Sequence, residues 1–237
     1  MLLYIIRHGK PDYAADALTD EGREQAELVA RRLAAGGIDE IHSSPMGRAV
    51  ETAGPTADAL GLPIQVEPWA YELGSDCRTV FPDGKSKTIS SLPPEYLHQA
   101  AFRELDSEEA IQSIPGIVDT GFAARWEMLK SGIDGMLEKL GYRRNAEGTY
   151  DAVAPNGRHA ALFCHAGMQR ALLAHMLNIP FQLLAATVMS HYTGVTILDF
   201  HGDGPRVSPQ LLSFADTGHL YLDRSAPLLH YLHKTPF

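Results

Sequence analysis

Five apolar residues, Leu2-Leu3-Tyr4-Ile5-Ile6, stand almost at the start of the chain, and their β-branched and aromatic content predicts a buried strand. Arg7-His8-Gly9 follows at once, at the carboxyl end of that strand. After a polar loop over residues 10–18, Ala26, Val29, Ala30 and Leu33 recur at helical spacing, with Thr19 and Asp20 as N-cap candidates and Gly36-Gly37 as the stop. This predicts a helix over residues 21–35. Residues 38–42 alternate like a short strand. Ser43-Ser44-Pro45 then offers an N-cap followed by proline at the first helical position. The second helix runs to Leu60, where Gly61 stops it, and Pro55 inside it is expected to cause a kink. A further strand is predicted over residues 64–67.

Between residues 75 and 116 the periodicity is lost among polar residues and Pro82, Pro93, Pro94 and Pro115, as expected for an inserted cap, helical in part over residues 94–102. Helical spacing returns with Phe122, Trp126, Leu129, Ile133, Met136, Leu137 and Leu140, closed by Gly141. Residues 159–164 form another buried apolar run, ending in His165-Ala166-Gly167. A helix over residues 170–177 follows, with Asn178 and Pro180 as its stop. Residues 195–200 and 210–214 read as a terminal hairpin around Gly202-Asp203-Gly204. Strands alternating with helices predict one α/β domain of three layers, α/β/α, with a mainly parallel central sheet, an antiparallel edge strand and the cap insertion. Neither a Walker loop nor a G-x-G-x-x-G is present.

Two strands thus end in histidines, His8 and His165, and a third leads into a helix with Arg48 in its first turn. In a parallel sheet these ends share one edge, where ligands of open α/β folds bind. Two arginines and two histidines converging there would make a phosphate pocket. Helix N-termini after Ser44 and after His165 would add N–H groups that favour an anion. An imidazole nucleophile beside a guanidinium suits attack on phosphorus.

Composition narrows the partners. The 237 residues are 45% hydrophobic and 21% charged, with a formal net charge of −9, which disfavours nucleic acid and anionic membranes. Cys77 and Cys164 form no C-x-x-C, so neither a disulfide framework nor a structural zinc site is expected. The absence of a leader pattern and of a membrane-length apolar run predicts a cytoplasmic protein.

The chain resembles the histidine phosphatase superfamily, the phosphoglycerate mutase-like family. The resemblance rests on Leu3-Tyr4-Ile5-Ile6-Arg7-His8-Gly9, Leu18-Thr19-Asp20-Glu21-Gly22-Arg23-Glu24-Gln25-Ala26, the segment from Ser43-Ser44-Pro45-Met46-Gly47-Arg48 to Thr52-Ala53, Glu72, and Phe163-Cys164-His165-Ala166-Gly167, all in the family's order. It implies that His8 becomes a phosphohistidine. By the same resemblance Arg7, Arg48 and His165, with Ala166 beside them, bind the phosphoryl oxygens, and Glu72 is the proton donor and later the base for water. No metal or cofactor is implied. The expected partner is a small phosphorylated metabolite; the family's substrates range over sugar phosphates, nucleotides, cofactor precursors and phosphoproteins. The sequence does not set the oligomeric state, with a homodimer among the options. A neutral His8 and a protonated Glu72 together predict an activity optimum on the mildly acidic to neutral side.

Asp12, Asp20 and Asp76 compete with Glu72 for the acid's role. His42, His98, His159, His175, His201, His230 and His233 are assigned structural or surface roles. His191 and His219, near strand ends, are weighed against pocket contact and placed with them. Arg78, Lys85 and Lys87, in the cap, are read as solvated charges rather than substrate contacts. Phosphomonoester hydrolysis is favoured over phosphoglycerate mutation. Mutases of this type carry a serine and a Trp-Asn pair just after the first motif, and this chain has Lys10-Pro11-Asp12-Tyr13-Ala14-Ala15-Asp16. A cysteine phosphatase reading uses Cys164 and Arg170, which have C-x5-R spacing, but leaves Arg7-His8-Gly9 without a role. A noncatalytic phosphate-binding module is the remaining alternative.

Overall fold

A computed structural model describes residues 1–73, 78–80, 84, 86–88, 107–113, 121–202 and 204–221. The strands are β1 (Leu2–Arg7), β2 (Pro11–Asp12), β3 (Ala17–Leu18), β4 (Glu40–Ser43), β5 (Ile64–Val66), β6 (Arg78–Val80), β7 (Ser86–Thr88), β8 (Tyr142–Arg144), β9 (Tyr150–Ala152), β10 (His159–Cys164), β11 (Val195–Asp199), β12 (Arg206–Val207) and β13 (Gln210–Asp216). The α-helices are α1 (Asp20–Gly36), α2 (Gly47–Leu60), α3 (Ser107–Gln112), α4 (Phe122–Lys139), α5 (Ala166–Leu177) and α6 (Phe181–Thr187).

Six strands make the main sheet in the order β13-β11-β1-β10-β4-β5. β1, β10, β4 and β5 are mutually parallel, and the antiparallel edge is the β11–β13 hairpin, with β11 running against β1. Alternation along the buried strands splits the core in two, because successive side chains point to opposite faces. Leu3, Ile5 and Leu162 join the core shared with α4 and α5; Ile6, Ala161 and Phe163 join the one shared with α1 and α2. The result is the three-layer α/β/α arrangement that the hydrophobic pattern predicts.

Several boundaries depart from the sequence reading. α2 begins at Gly47 rather than at Pro45, and its N-cap, Met46, makes no side-chain cap bond. The Ser44 hydroxyl expected to cap it reaches the Met46 N–H at 3.3 Å and is also engaged with His165 at 2.7 Å. α5 begins at Ala166, four residues before the predicted start. The polar loop after β1 contains the small β2–β3 hairpin, and α6 and the three-stranded sheet β12-β9-β8 are additions. Strands of two or three residues carry too few positions to show a period of two. In the cap, the described residues form the β6–β7 hairpin and α3. The helix expected over residues 94–102, Cys77, Asp76, Lys85 and the side chains of Arg78 and Lys87 lie outside the described residues.

What matters for the site is register. Arg7 pairs with Cys164, and Phe163 with Ser43, so the parallel strands β1, β10 and β4 end level with one another. Pairing continues one residue further: His8 N–H donates to the Cys164 carbonyl at 2.9 Å, and Ser44 N–H to the Phe163 carbonyl at 2.9 Å. His8, His165 and Ser44 thus emerge side by side. Gly9 then passes so close to α1 that a Cβ on it would lie 2.6 Å from the Gly22 carbonyl oxygen, which restricts this position to glycine.

Candidate active site

His8 and His165 are both buried, and their ring centroids are 5.1 Å apart. His8 Nδ1 lies 2.7 Å from the Gly9 carbonyl oxygen. A carbonyl only accepts, so the network assigns the proton to Nδ1 and leaves the Nε2 lone pair free. Burial, reinforced by the Arg7 and Arg48 charges, drives the His8 pKa well below that of an ordinary imidazole, although the Gly9 contact opposes this. The ring is therefore neutral at physiological pH.

His165 is neutral for the same first cause, burial, followed by the proximity of His8, Arg48, Arg7 and Arg125. Its Nε2 is 2.7 Å from Ser44 Oγ, and that oxygen also accepts the Met46 N–H at 3.3 Å. When the hydroxyl donates to Nε2, the His165 proton sits on Nδ1. Nδ1 itself is buried with no acceptor among the described residues.

The arginines show the same arrangement twice. Arg7 donates through Nη1 to the Ser190 carbonyl, and its guanidinium carbon stands 4.2 Å from the centre of the Tyr192 ring. Arg48 donates through Nη1 to Asp16 and through Nη2 to Met46 Sδ at 3.4 Å, with Tyr13 5.5 Å away. In both, Nε is buried without an acceptor among the described residues. Orphaned buried donors cost free energy, so they are uncommon unless a ligand satisfies them. Arg7 Nε and Arg48 Nε supply two such N–H groups near His8, and His165 Nδ1 adds a third when the Ser44 hydroxyl donates to Nε2, a donor set suited to a tetrahedral oxyanion.

Glu72 approaches from the loop after a short 3-10 turn, Pro68–Ala70. Its carboxylate accepts N–H bonds from Leu73 at 2.9 Å and Met168 at 3.0 Å, with Gly167 at 3.4 Å. It therefore sits on the N-terminus of α5. The expectation of open helix ends is narrowed here, because amides in the first turn of each helix hold carboxylates of the protein itself, those of Gly167 and Met168 on α5 taking Glu72. Gly47 N–H likewise donates to Asp16 at 2.8 Å. The short Asp16 and Glu72 side chains reach these amides directly, which leaves fewer helix-end donors for a bound anion.

Ala166 opens α5, and Arg170, one turn on, is buried with its charge felt by Glu72 and Arg7. Of the competing acids, Asp12 accepts the Ala14 N–H at 3.0 Å and Asp20 pairs with Arg23 at 2.5 Å, so both are spent locally. His42 bonds Glu67 at 2.9 Å, and His219 bonds Thr193 at 3.0 Å, which keeps both in supporting positions. His191 lies near enough to Arg7 for that charge, after burial, to lower its pKa. Sequence reading missed Ser44 as the partner of His165, Asp16 as the partner of Arg48, and Tyr192, whose ring is 5.8 Å from His8. Only Ser44 had a signal, its place beside the arginine motif.

The cysteine alternative does not fit this geometry. Cys164 is fully buried, and burial with the nearby Glu72 pushes its thiol pKa up, away from the thiolate. Residues 166–170 belong to a helix, with the Gln169 N–H bonded to the His165 carbonyl at 2.9 Å, so no open anion loop joins Cys164 to Arg170. Among the described residues no group of three or more His, Cys, Asp and Glu could hold a metal ion, and no helix is long and apolar enough to cross a membrane.

Comparison with known proteins agrees with this layout. The chain resembles a probable phosphoglycerate mutase GpmB of Yersinia pestis (strain Pestoides F), 35% identical over 102 residues, which cover 39% of this chain and 45% of the relative. The matched stretch thus spans about half the length of the curated relatives. A phosphoserine phosphatase from Entamoeba histolytica, solved with phosphoserine, superposes with TM-score 0.61 at 20% identity over 92% of this chain and 98% of its own. A mycobacterial glucosyl-3-phosphoglycerate phosphatase superposes with TM-score 0.60 at 21% identity over 91% and 99%. These two share the fold. The profile of the histidine phosphatase superfamily (branch 1) matches residues 3–75 and 101–210, including the segments that carry Arg7, His8, Arg48, Glu72 and His165, and to that superfamily the chain belongs.

Proposed function

We propose that the protein is a phosphomonoester hydrolase that works through a phosphohistidine on His8 without a metal ion. The observation that carries this reading is the His8 imidazole, neutral, with Nδ1 on the Gly9 carbonyl and no hydrogen-bond partner on Nε2 among the described residues, close to the Arg7 and Arg48 charges and to His165; the buried Arg7 Nε, Arg48 Nε and His165 Nδ1 have no partner among those residues. Nε2 attacks phosphorus in line, forming the N–P bond as the ester P–O bond breaks. Arg7 Nε, Arg48 Nε and His165 Nδ1 donate to the phosphoryl oxygens, and the Ala166 amide lies beside them at the start of α5. Glu72 gives its proton to the departing alkoxide. It then takes a proton from water, whose oxygen attacks phosphorus; the N–P bond breaks, and phosphate and neutral His8 return.

Small phosphorylated metabolites are the substrate class this reading takes. It is supported by the family and by the fold-related proteins, one solved with phosphoserine and another structure of the Entamoeba enzyme with 3-phosphoglyceric acid. The name of the curated relatives keeps a mutase reading in play. Residues 10–16, which lack the serine and the Trp-Asn pair of such mutases, favour water over a second phosphoglycerate as the acceptor.

Rapid acid-free quenching during turnover of a phosphomonoester, followed by mass spectrometry, tests the proposal. An adduct of one phosphoryl group on the peptide containing His8, labile to acid and stable to alkali, is expected. An adduct elsewhere, or turnover that disappears with a chelator, overturns it. Transfer of that phosphoryl group to 3-phosphoglycerate in preference to water would establish the mutase instead.

The pH dependence follows from His8. The neutral ring attacks, and its depressed pKa means that falling pH protonates it later than an ordinary imidazole of about 6.5. The acid limb of kcat/KM, which reports the free enzyme, is therefore expected below that value. A pH–rate profile with its acid limb at or above the ordinary imidazole value would count against His8 as the nucleophile.

A further inference from the structure

We propose that Asp16 is a specificity-determining residue that turns the site toward phosphomonoesters whose alcohol portion carries no carboxylate. The proposal rests on the reading above, in which Arg48 holds the phosphoryl group. Asp16 stands at the tip of the β2–β3 hairpin, just before Ala17–Leu18, with the left-handed φ of 49° that Asp tolerates better than most residues. The tip lies directly on α2, since a Cβ on Gly47 would fall 2.3 Å from the Asp16 carbonyl oxygen. From there Asp16 Oδ1 accepts from Arg48 Nη1, and Oδ2 accepts the Gly47 N–H at 2.8 Å.

The two partners differ in exposure. The Arg48 side chain is 6% exposed and that of Asp16 is 43% exposed, so a solvent-facing carboxylate covers a buried guanidinium. One N–H of Arg48 Nη1 is thereby given to Asp16 and one of Nη2 to Met46 Sδ, and Nε, with no acceptor among the described residues, is placed to take a phosphoryl oxygen. A second anion on the substrate, arriving beside the phosphoryl group, meets the Asp16 carboxylate where a free guanidinium edge would otherwise receive it. Tyr13, from the same tip, and Tyr192, from the loop before β11, add aromatic surface over Arg48 and Arg7. An uncharged alcohol faces none of the repulsion.

A matched pair of substrates isolates the charge. Glycerol 3-phosphate and 3-phosphoglycerate differ at one terminal carbon, hydroxymethyl against carboxylate. In the unaltered chain kcat/KM is expected to favour glycerol 3-phosphate, and Asp16→Asn is expected to shift the ratio toward 3-phosphoglycerate on the order of tenfold, the size of one partly screened charge pair. Removing the charge also strengthens binding of the phosphoryl group, but equally for both compounds, so the ratio is unaffected by that term. Asp16→Glu, which keeps the charge, retains the original preference.

A ratio unchanged by Asp16→Asn overturns the proposal, as does an equal loss for both substrates, which would make Asp16 a positioning residue for Arg48 only. Calorimetric binding of the same two compounds to His8→Ala, with and without Asp16→Asn, reads the discrimination independently of turnover. If neither ester is hydrolysed but the binding ratio shifts, the phosphatase reading fails and the Asp16 proposal stands. If the binding ratio does not shift, the Asp16 proposal fails whatever the activity.

Discussion

His8→Ala is expected to lower kcat/KM for a phosphomonoester by about 10⁴-fold or more, the scale on which removal of a catalytic nucleophile acts in hydrolases. The size follows from how much of the site depends on this ring. In the proposed mechanism Arg7 Nε, Arg48 Nε and His165 Nδ1 stabilise charge that develops only when a nucleophile reaches phosphorus, and His8 Nε2 is the atom assigned to reach it. His165 is not a substitute, because its Nε2 is engaged with Ser44. Cys164→Ala, by contrast, is expected to keep activity within a few-fold, since the thiol is buried as the last residue of β10. Circular dichroism and a thermal melt of both variants separate lost chemistry from lost fold. Phosphate release by His8→Ala within tenfold of the unaltered chain would remove His8 from the mechanism.

Much of this constellation is legible in the sequence, and the reason is topological. β1 and β10 are continuous apolar runs, which buried parallel strands require, and each ends in a histidine. Once both are parallel neighbours, chain direction alone brings His8 and His165 to the same edge. The segment into α2 added Arg48 in the same way. Glu72 was legible only through family resemblance, because nothing in the local pattern Tyr71-Glu72-Leu73 distinguishes it from a surface carboxylate. Its position is set by the α5 amides, which are contributed by Gly167 and Met168, 95 and 96 residues further along.

Partnerships at such separations leave no periodic trace. The Asp16–Arg48 pair and the Ser44–His165 bond join residues 32 and 121 positions apart, and each is made by a side chain whose local pattern points to a different role. Ser44 looked like a helix cap because Ser-x-x spacing before a helix usually is one. Tertiary demand overrode that preference: a buried His165 needs a partner for Nε2, and the helix start shifted to Gly47. The early start of α5 has a related cause. His165-Ala166-Gly167-Met168 contains a glycine in what became the first helical turn, which weakens the sequence signal for a helix. Yet this first turn is where the Glu72 carboxylate is held, so the feature least visible in the pattern fixes in place the carboxylate proposed as the acid.

Glu72→Gln is the sharpest test of that acid. The two shortest amide bonds to Glu72, from Leu73 and Met168, both fall on Oε1, so a glutamine with its oxygen there keeps them and the local fold. What it loses is a transferable proton. For an alkyl phosphate, whose departing alkoxide needs that proton, kcat is expected to fall by about 10²- to 10⁴-fold, the range for general acid catalysis. For p-nitrophenyl phosphate, whose phenolate leaves unassisted, transfer to His8 is expected to slow by about tenfold or less, because proton donation contributes little when the leaving group is already stable. The second step is different, since water must still be activated to cleave the N–P bond. With the aryl ester the variant should therefore release one equivalent of p-nitrophenol in a burst and then turn over slowly, while the phosphoryl group accumulates on His8. Stopped-flow absorbance and the quenched adduct measure the two events separately. An equal loss across alkyl and aryl esters, with no burst, would show that Glu72 only supports α5, and proton transfer would have to be sought in another residue.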